Sequence, residues 1–238
     1  MTGTLINIIT VILGGTLGTF LGARLPDKIR ETIMHGLGLL TLVIGLQMAL
    51  TTRNVLIVLA SILFGGIIGE MLGIQNGLDA LGRNLERRFA RGGEEGTFTR
   101  GFVTASLVFC IGPLAILGSI QDGLLGDYNL LAIKSTLDGF AGLAFASTLG
   151  IGVAFAALTV LVYQGGISLL AILLGSAIGS VTRETPWVIE MSATGGVLIL
   201  GIGLLLLDLK QVRIANLLPA VLIAPLMVIA LAALGIKF

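Results

Sequence analysis

The sequence predicts an all-α membrane protein, a single integral domain over residues 1–238 that crosses the bilayer about eight times. Hydrophobic side chains make up 55% of its residues and charged ones only 11%, whereas about 25% of the residues in soluble domains are charged. The mean hydropathy is +1.06. The apolar residues also form runs of about 20, the length that a helix needs to cross a hydrocarbon core about 30 Å thick.

Eight segments meet this length requirement approximately: 4–23, 34–51, 54–73, 101–120, 139–162, 167–182, 190–208 and 214–234. We expect the fourth to be broken at Gly112-Pro113, because proline removes a backbone donor and clashes with the preceding turn. The loop after the third segment predicts a further helix, over 76–91, that lies in the headgroup plane. Its apolar residues recur at helical spacing, and arginines occupy its other faces.

The composition excludes several classes of protein. The formal net charge is +1, so there is no basic surface for nucleic acid. The chain has one cysteine, Cys110, and one histidine, His35, too few for the usual zinc ligand sets. The spacings of a metal hydrolase (H-E-x-x-H) and of a nucleophile elbow (G-x-S-x-G) are absent. We therefore expect no metal, no cofactor and no enzymatic activity.

The distribution of basic residues predicts the orientation in the membrane. With the N-terminus outside, the internal loops hold ten of the fourteen Lys and Arg residues and the external side holds four. Because cytoplasmic loops are enriched in Lys and Arg, we expect both termini to lie outside the plasma membrane.

Two pairs of segments indicate an internal repeat. Ile12–Gly18 matches Leu173–Gly179, and Gly38–Leu46 matches Gly196–Leu204. The two copies begin an odd number of helices apart, so they would enter the membrane from opposite sides, as in the inverted repeats of secondary transporters. Chance similarity between glycine- and leucine-rich helices is the alternative.

This interpretation divides the chain into three parts. The first repeat covers about 4–73, a central charged unit about 101–162 and the second repeat about 167–234. In the fifth predicted helix, small residues follow a four-residue spacing: Gly142, Ala146, Gly150 and Ala154. Such a stripe lets helix backbones approach closely, either within one chain or between the copies of a homo-oligomer.

The central unit carries the candidate site. Between 101 and 182 the only charged residues are Asp122, Asp127, Lys134 and Asp138. Lys134 and Asp138 are four residues apart, so they share a helix face and can pair. An ionisable group at membrane depth is costly and therefore a functional candidate. For Asp122 and Asp127 a second interpretation stays open, namely turn residues in an external loop.

We expect the site to combine this charged pair with the broken helix. Gln121 and Ser135 would be neutral ligands, and Gly112 and Pro113 would expose backbone groups at the break. Three more polar residues fall in apolar runs and are secondary candidates: Asn7, Gln47 and Glu70. Asn7 and Gln47 would form hydrogen bonds between helices or contact the solute, whereas Glu70 would face the headgroups or line an inner vestibule.

The central unit also carries a family resemblance, in the segments Gly112-Pro113, Leu117-Gly118-Ser119-Ile120-Gln121-Asp122-Gly123, Gly126-Asp127-Tyr128 and Lys134-Ser135-Thr136-Leu137-Asp138-Gly139. With Gly3, Asn7, Gly14-Gly15 and Gly18, they resemble the bacterial inner-membrane family catalogued as domain of unknown function 554. The resemblance covers essentially the whole chain. It implies a multi-pass protein of the bacterial plasma membrane and carries no activity over to this chain.

Two functions from different classes fit the sequence. The first is a secondary transporter or channel for a small solute or ion, with Asp138 as the coupling carboxylate and Lys134 as its charge partner. The second is a non-transporting membrane scaffold or regulator, oligomeric through its glycine stripes, with the charged unit as an external surface for a partner.

Overall fold

The computed structural model describes residues 1–89, 96–174, 182 and 184–235. In these ranges it is all-helical and contains no strand. Its helices are α1 (Thr2–Gly22), α2 (Asp27–Ala49), α3 (Val55–Leu72), α4 (Ile74–Phe89), α5 (Thr97–Ile111), α6 (Pro113–Leu125), α7 (Asn129–Leu149), α8 (Gly152–Leu174), α9 (Pro186–Leu206) and α10 (Leu218–Ala233), and a 3-10 turn, Ile214–Leu217, precedes α10.

Seven of the described helices are long and apolar enough to cross a membrane: α1, α2, α3, α7, α8, α9 and α10, the last together with its 3-10 turn. The predicted break in the fourth segment is confirmed. Helices α5 and α6 meet at Gly112 and bend by 63°, because Pro113 cannot continue the hydrogen-bonded ladder of α5.

The helix α4 corresponds to the helix predicted over 76–91, of which residues 90 and 91 lie outside the described residues. It packs on α5 through Gly82, which lies against Thr99 and Phe102, and Phe89 at its end stacks on Phe155 of α8.

Contacts with α8 show that α5 and α6 together make a single crossing. Phe98, near the start of α5, lies against Gly152 at the start of α8, and Gly123, near the end of α6, lies against Ser168. Gly152 and Ser168 are about 24 Å apart along α8 at 1.5 Å per residue. This distance is most of the thickness of the hydrocarbon core. The pair therefore fits one broken span, and the described helices then provide eight candidate membrane spans.

The relative direction of α1 and α7 agrees with this count. The two helices run parallel, since their contacts keep the same order along both: Gly3 with Leu131, Gly14 with Gly139 and Gly22 with Ser147. Three crossings, by α2, α3 and the broken span, return the chain to the side on which α1 began.

The helices form two compact units. The first contains α1, the start of α2, most of α4, α5 and α6, and all of α7 and α8. The second contains the rest of α2, all of α3, α9 and α10, and the break at Ile111–Pro113. In the second unit, α2 packs antiparallel to α9, because Gly38 contacts Leu207 while Ala49 contacts Gly196. Helices α3 and α10 are also antiparallel, since Gly65 lies against Ala220 while Gly69 lies against Asn216 in the turn before α10.

Two predicted segments differ in the structure. The sixth, 167–182, begins inside α8, and its residues 175–181, with most of the Leu173–Gly179 match, lie outside the described residues. The fifth predicted helix, 139–162, is divided between α7 and α8, and the chain turns at Gly150 with a φ of +74°, a conformation that glycine adopts without steric cost. The sequence Gln164-Gly165-Gly166 does not end a helix but lies within α8. Glycine is common in membrane helices, whose backbone groups must be hydrogen-bonded internally.

The predicted small-residue stripe therefore does not lie on one helix. Gly142 and Ala146 belong to α7, Gly150 is the turn and Ala154 belongs to α8. Its role as a helix contact is nevertheless seen. Ala146 lies against Gly18 and Ala154 against Gly15, both on α1. The small residues thus bring α7 and α8 close to α1 within one chain.

Candidate functional site

The charged pair lies inside the first unit, halfway along α7. Lys134 Nζ donates a hydrogen bond to Asp138 Oδ2 and forms an ion pair with it. Only 4% of Lys134 and 8% of Asp138 is exposed. Asp138 lies nine residues from the start of the 21-residue α7, about 14 Å at 1.5 Å per residue. The pair is therefore buried near the middle of a membrane span.

Two amide side chains extend this pair to the neighbouring helices. Asn7 Nδ2 of α1 donates to Asp138 Oδ2 at 2.9 Å and to Gln164 Oε1 of α8 at 3.2 Å. Both amide residues are fully buried. Three helices thus meet at a single polar network in the membrane interior, where a charge is tolerated only if it is paired or hydrated.

A second buried carboxylate, that of Asp122, lies closer to the N-terminal end of α1. Asp122 of α6 is 2% exposed, and its Oδ2 accepts a hydrogen bond from the Gly3 backbone N–H at 3.1 Å. Its Oδ1 lies 3.0 Å from the α-amino nitrogen of Met1. Asp122 is therefore a buried residue within a helix that binds the beginning of α1, not a turn residue.

Among the described residues of this unit, four buried polar atoms have no hydrogen-bond partner: Thr4 Oγ1, Asn7 Oδ1, Ser119 Oγ and Gln164 Nε2. Buried polar side chains are usually satisfied, so a group of such atoms indicates a place for a polar ligand or water.

These four atoms lie on faces of α1, α6 and α8, and hydrogen bonds join the three faces to one another. Thr4 and Asn7 are one turn apart on α1, Ser119 and Asp122 on α6, and Gln164 and Ser168 on α8. Ser168 Oγ donates to the Ser119 carbonyl at 3.0 Å, Asp122 accepts from Gly3, and Asn7 donates to Gln164. The result is a polar column from the α1 N-terminal end to Asp138.

The structure places the other predicted site residues differently. Asp127 is exposed, and its Oδ1 accepts from Asn129 N at 3.0 Å in the turn before α7, so it is a turn residue. Ser135 is fully buried but donates to the Leu131 carbonyl of its own helix at 2.6 Å. Gln121 is half-buried on α6. Gly112 and Pro113 form the break and belong to the second unit.

The secondary candidates do not come together. Asn7 joins the network, whereas Gln47 is exposed on α2, so its expected role as a hydrogen-bonding group between helices is not seen. Glu70 is in the second unit, where Arg213 Nη1 donates to its Oε1 and Asn216 Nδ2 donates to its Oε2. This cluster connects the end of α3 to the turn before α10.

Two buried polar residues, Gln164 and Glu190, are not among the candidates that the sequence indicates. Gln164 falls between the predicted segments 139–162 and 167–182, so the segment boundaries place it outside the membrane. Glu190 of α9 is 1% exposed and accepts hydrogen bonds from Thr52 Oγ1, Arg53 N and Asn54 N at 2.6 to 3.1 Å. Its signal was a carboxylate inside the apolar run that follows Pro186. It holds the start of α3.

The fold and this buried network define a polytopic membrane protein with an ion pair in its interior. The family model described as "Protein of unknown function (DUF554)" matches residues 2–229, and the chain belongs to this family. It is 32% identical over 246 residues to the uncharacterized membrane protein YdfK of Bacillus subtilis (strain 168), covering 100% of both chains. It is also 32% identical over 226 residues to the uncharacterized protein YqgA of Escherichia coli (strain K12), covering 93% of this chain and 94% of that one. No solved structure matches the chain.

Proposed function

We propose that this protein is a secondary transporter or channel for a small solute or ion in the bacterial plasma membrane. The observation that carries the proposal is the buried network of Asn7, Lys134, Asp138 and Gln164. Burying an ion pair costs several kcal/mol in desolvation of each ion, and apolar residues of similar volume are often as stable or more so. A pair kept in the middle of a membrane bundle, beside unpartnered polar atoms, is better explained by a solute pathway than by stability.

The packing along α1 supports a site accessible from one side. From Asp138 toward the start of α1, the four helices present polar groups. Toward the other end, Gly14, Gly18 and Gly22 of α1 lie directly against backbone atoms of α7. A substrate that reaches Asp138 through the polar column would have to separate these two helices to continue. This is the behaviour expected of alternating access.

The packing of α2 on α9 supports the inverted repeat. In the sequence match these helices are offset by 158 residues. A Cβ atom built on Gly45 lies 2.7 Å from Leu200 N, and one built on Gly203, its equivalent, lies 2.7 Å from a methyl group of Leu42 and 3.0 Å from Leu42 N. Leu42 and Leu200 are themselves equivalent. A local two-fold axis in the membrane plane would produce such reciprocal contacts.

The experiment is a melting-shift screen of the detergent-purified protein against inorganic ions, amino acids and organic acids. A ligand at 100 times its dissociation constant stabilises the native state by about 2.7 kcal/mol. We expect one solute class to raise the melting temperature of the wild type and of Asp127→Asn, whose carboxylate is exposed in the turn, but not of Asp138→Asn. If the shift survives in Asp138→Asn, or no solute shifts the wild type, the scaffold hypothesis replaces the transporter.

A further inference from the structure

We infer that the ion coupled to this site is a proton, which binds Asp138 and releases Lys134 from it. The inference rests on the proposed transport function and goes further by naming the coupling ion. It follows from the polar groups that face the carboxylate, from an unpartnered oxygen beside them and from the column that connects the pair to one side of the membrane.

The groups that hydrogen-bond to Asp138 are donors, which do not suit a metal ion. Lys134 Nζ and Asn7 Nδ2 both donate to Asp138 Oδ2. Hard metal cations need several oxygen ligands directed at one point, whereas here an ammonium group and an amide N–H already occupy the same carboxylate oxygen. A proton needs only one lone pair of the carboxylate, so it can bind without further oxygen ligands.

Asn7 provides a second hydrogen-bond acceptor for the Lys134 ammonium group. Its Oδ1 is buried and without a partner, and it is on the same amide group whose nitrogen contacts Asp138. When a proton arrives, an O–H bond forms on Asp138, the ion pair is lost and the network gains one positive charge. The Lys134 ammonium can then donate to Asn7 Oδ1. Deprotonation of Asp138 reverses both steps.

The route for the proton is the polar column. Thr4 Oγ1 and Ser119 Oγ are unpartnered hydroxyls, located one turn from Asn7 and Asp122 respectively on helices that hydrogen bonds connect. Ionisable groups inside membrane bundles, such as Asp122 and Asp138 here, are typical of proton relays. The column begins on the side of the α1 N-terminus and ends at Asp138.

The other titratable groups near the pair do not substitute for Asp138. Helix α1 carries no charged side chain. Cys110 of α5 is within electrostatic range of Lys134 and Asp138, and Tyr163 of α8 is within range of Cys110. A thiol or a phenol is neutral near pH 7 when unperturbed, so neither can be the anion that pairs with Lys134. Asp122 on α6 accepts from the Met1 and Gly3 nitrogens at the far end of the column.

The test uses the full chain in proteoliposomes on a solid-supported membrane, where a charge that moves into the protein gives a transient current. The probes are a proton step, from about pH 8 to about pH 6, and a Na⁺ step at constant pH. We expect a current for the proton step and none for the Na⁺ step. Asp138→Asn should reduce the proton current to that of protein-free vesicles, whereas Asp127→Asn should retain it fully.

Asp138→Glu keeps a titratable carboxylate, so it should retain a proton current and show that the loss in Asp138→Asn is not misfolding. The inference is overturned if the wild type responds to Na⁺ and not to protons, or if Asp138→Asn keeps the wild-type proton current. These failures leave the transport proposal to the solute screen. A proton current without any solute-dependent melting shift would instead retain the proton site and refute solute transport.

Discussion

Because the Lys134–Asp138 ion pair is buried, loss of one partner costs more free energy than it would in an exposed helical pair. An exposed i,i+4 ion pair contributes only about 0.3–0.5 kcal/mol, but this one is buried and is joined by Asn7 of α1 to Gln164 of α8. If one partner is removed, a buried charge remains without compensation. That loss typically costs about 3–5 kcal/mol, whereas removal of both charges is often tolerated.

We therefore predict strong coupling between the two residues. Lys134→Met and Asp138→Asn should each lower the melting temperature of the detergent-purified protein, and the double variant should melt above the less stable single variant. The matched control is Asp127→Asn, which should melt within about 2 °C of the wild type, since exposed substitutions usually change stability by less than about 0.5 kcal/mol. Additive losses would show that the pair does not interact as the structure indicates.

At the scale of helices, glycine determines which backbones can touch. Gly45 and Gly203 occupy equivalent positions in the match between α2 and α9, and a Cβ atom at either meets the other helix closer than ordinary van der Waals contact. Gly36, earlier on α2, has no neighbouring heavy atom within 4 Å of such a Cβ atom. The same substitution therefore has opposite consequences along a single helix.

Gly45→Ala and Gly203→Ala should each destabilise the protein by about 1–3 kcal/mol, the usual cost of overpacking. The resulting decrease in melting temperature is about 2–4 °C per kcal/mol for a chain of this size. Gly36→Ala is the control and should be neutral or slightly stabilising. Unequal losses at Gly45 and Gly203 would argue against the reciprocal contact that supports the inverted repeat.

For the whole molecule, the number of crossings determines which loops share a side of the membrane. Because α5 and α6 make one crossing, the turn at Asp127 lies on the same side as the start of α1, and α4 lies on the other side. The basic residues of the α4 region favour the cytoplasm for that second side. The large apolar side chains that the helices leave exposed, such as Phe20, Phe64 and Val162, are the surface available to lipid.

Labelling in intact cells can test this topology. In a Cys110→Ala background, a cysteine at Asp127 should react with a membrane-impermeant maleimide added outside, whereas a cysteine at Arg88, exposed on α4, should react only after the cells are permeabilised. Labelling of both positions from outside would refute the single crossing of α5 and α6. The reverse pattern would invert the proposed orientation without changing the fold.

The amino-acid sequence alone was enough to predict a helical membrane protein, about eight spans, the break before Pro113 and the pairing of Lys134 with Asp138. These features depend on local quantities: the length of apolar runs, the missing N–H of proline and the spacing of two charges on one helix. The position of Glu190 in an apolar run is a local feature of the same kind, and it too indicates a buried carboxylate.

Other properties depended on contacts between distant residues. Gln164 is more than 150 residues from Asn7 in the chain, and only the packing of α1 on α8 brings them together. The turn at Gly150 and the continuation of α8 through Gly165-Gly166 were equally hidden, because glycine permits both a turn and a close helix contact. The burial of Asp122 and the exposure of Asp127 follow from the same physical cause: which helix face meets another helix is determined by the assembled bundle.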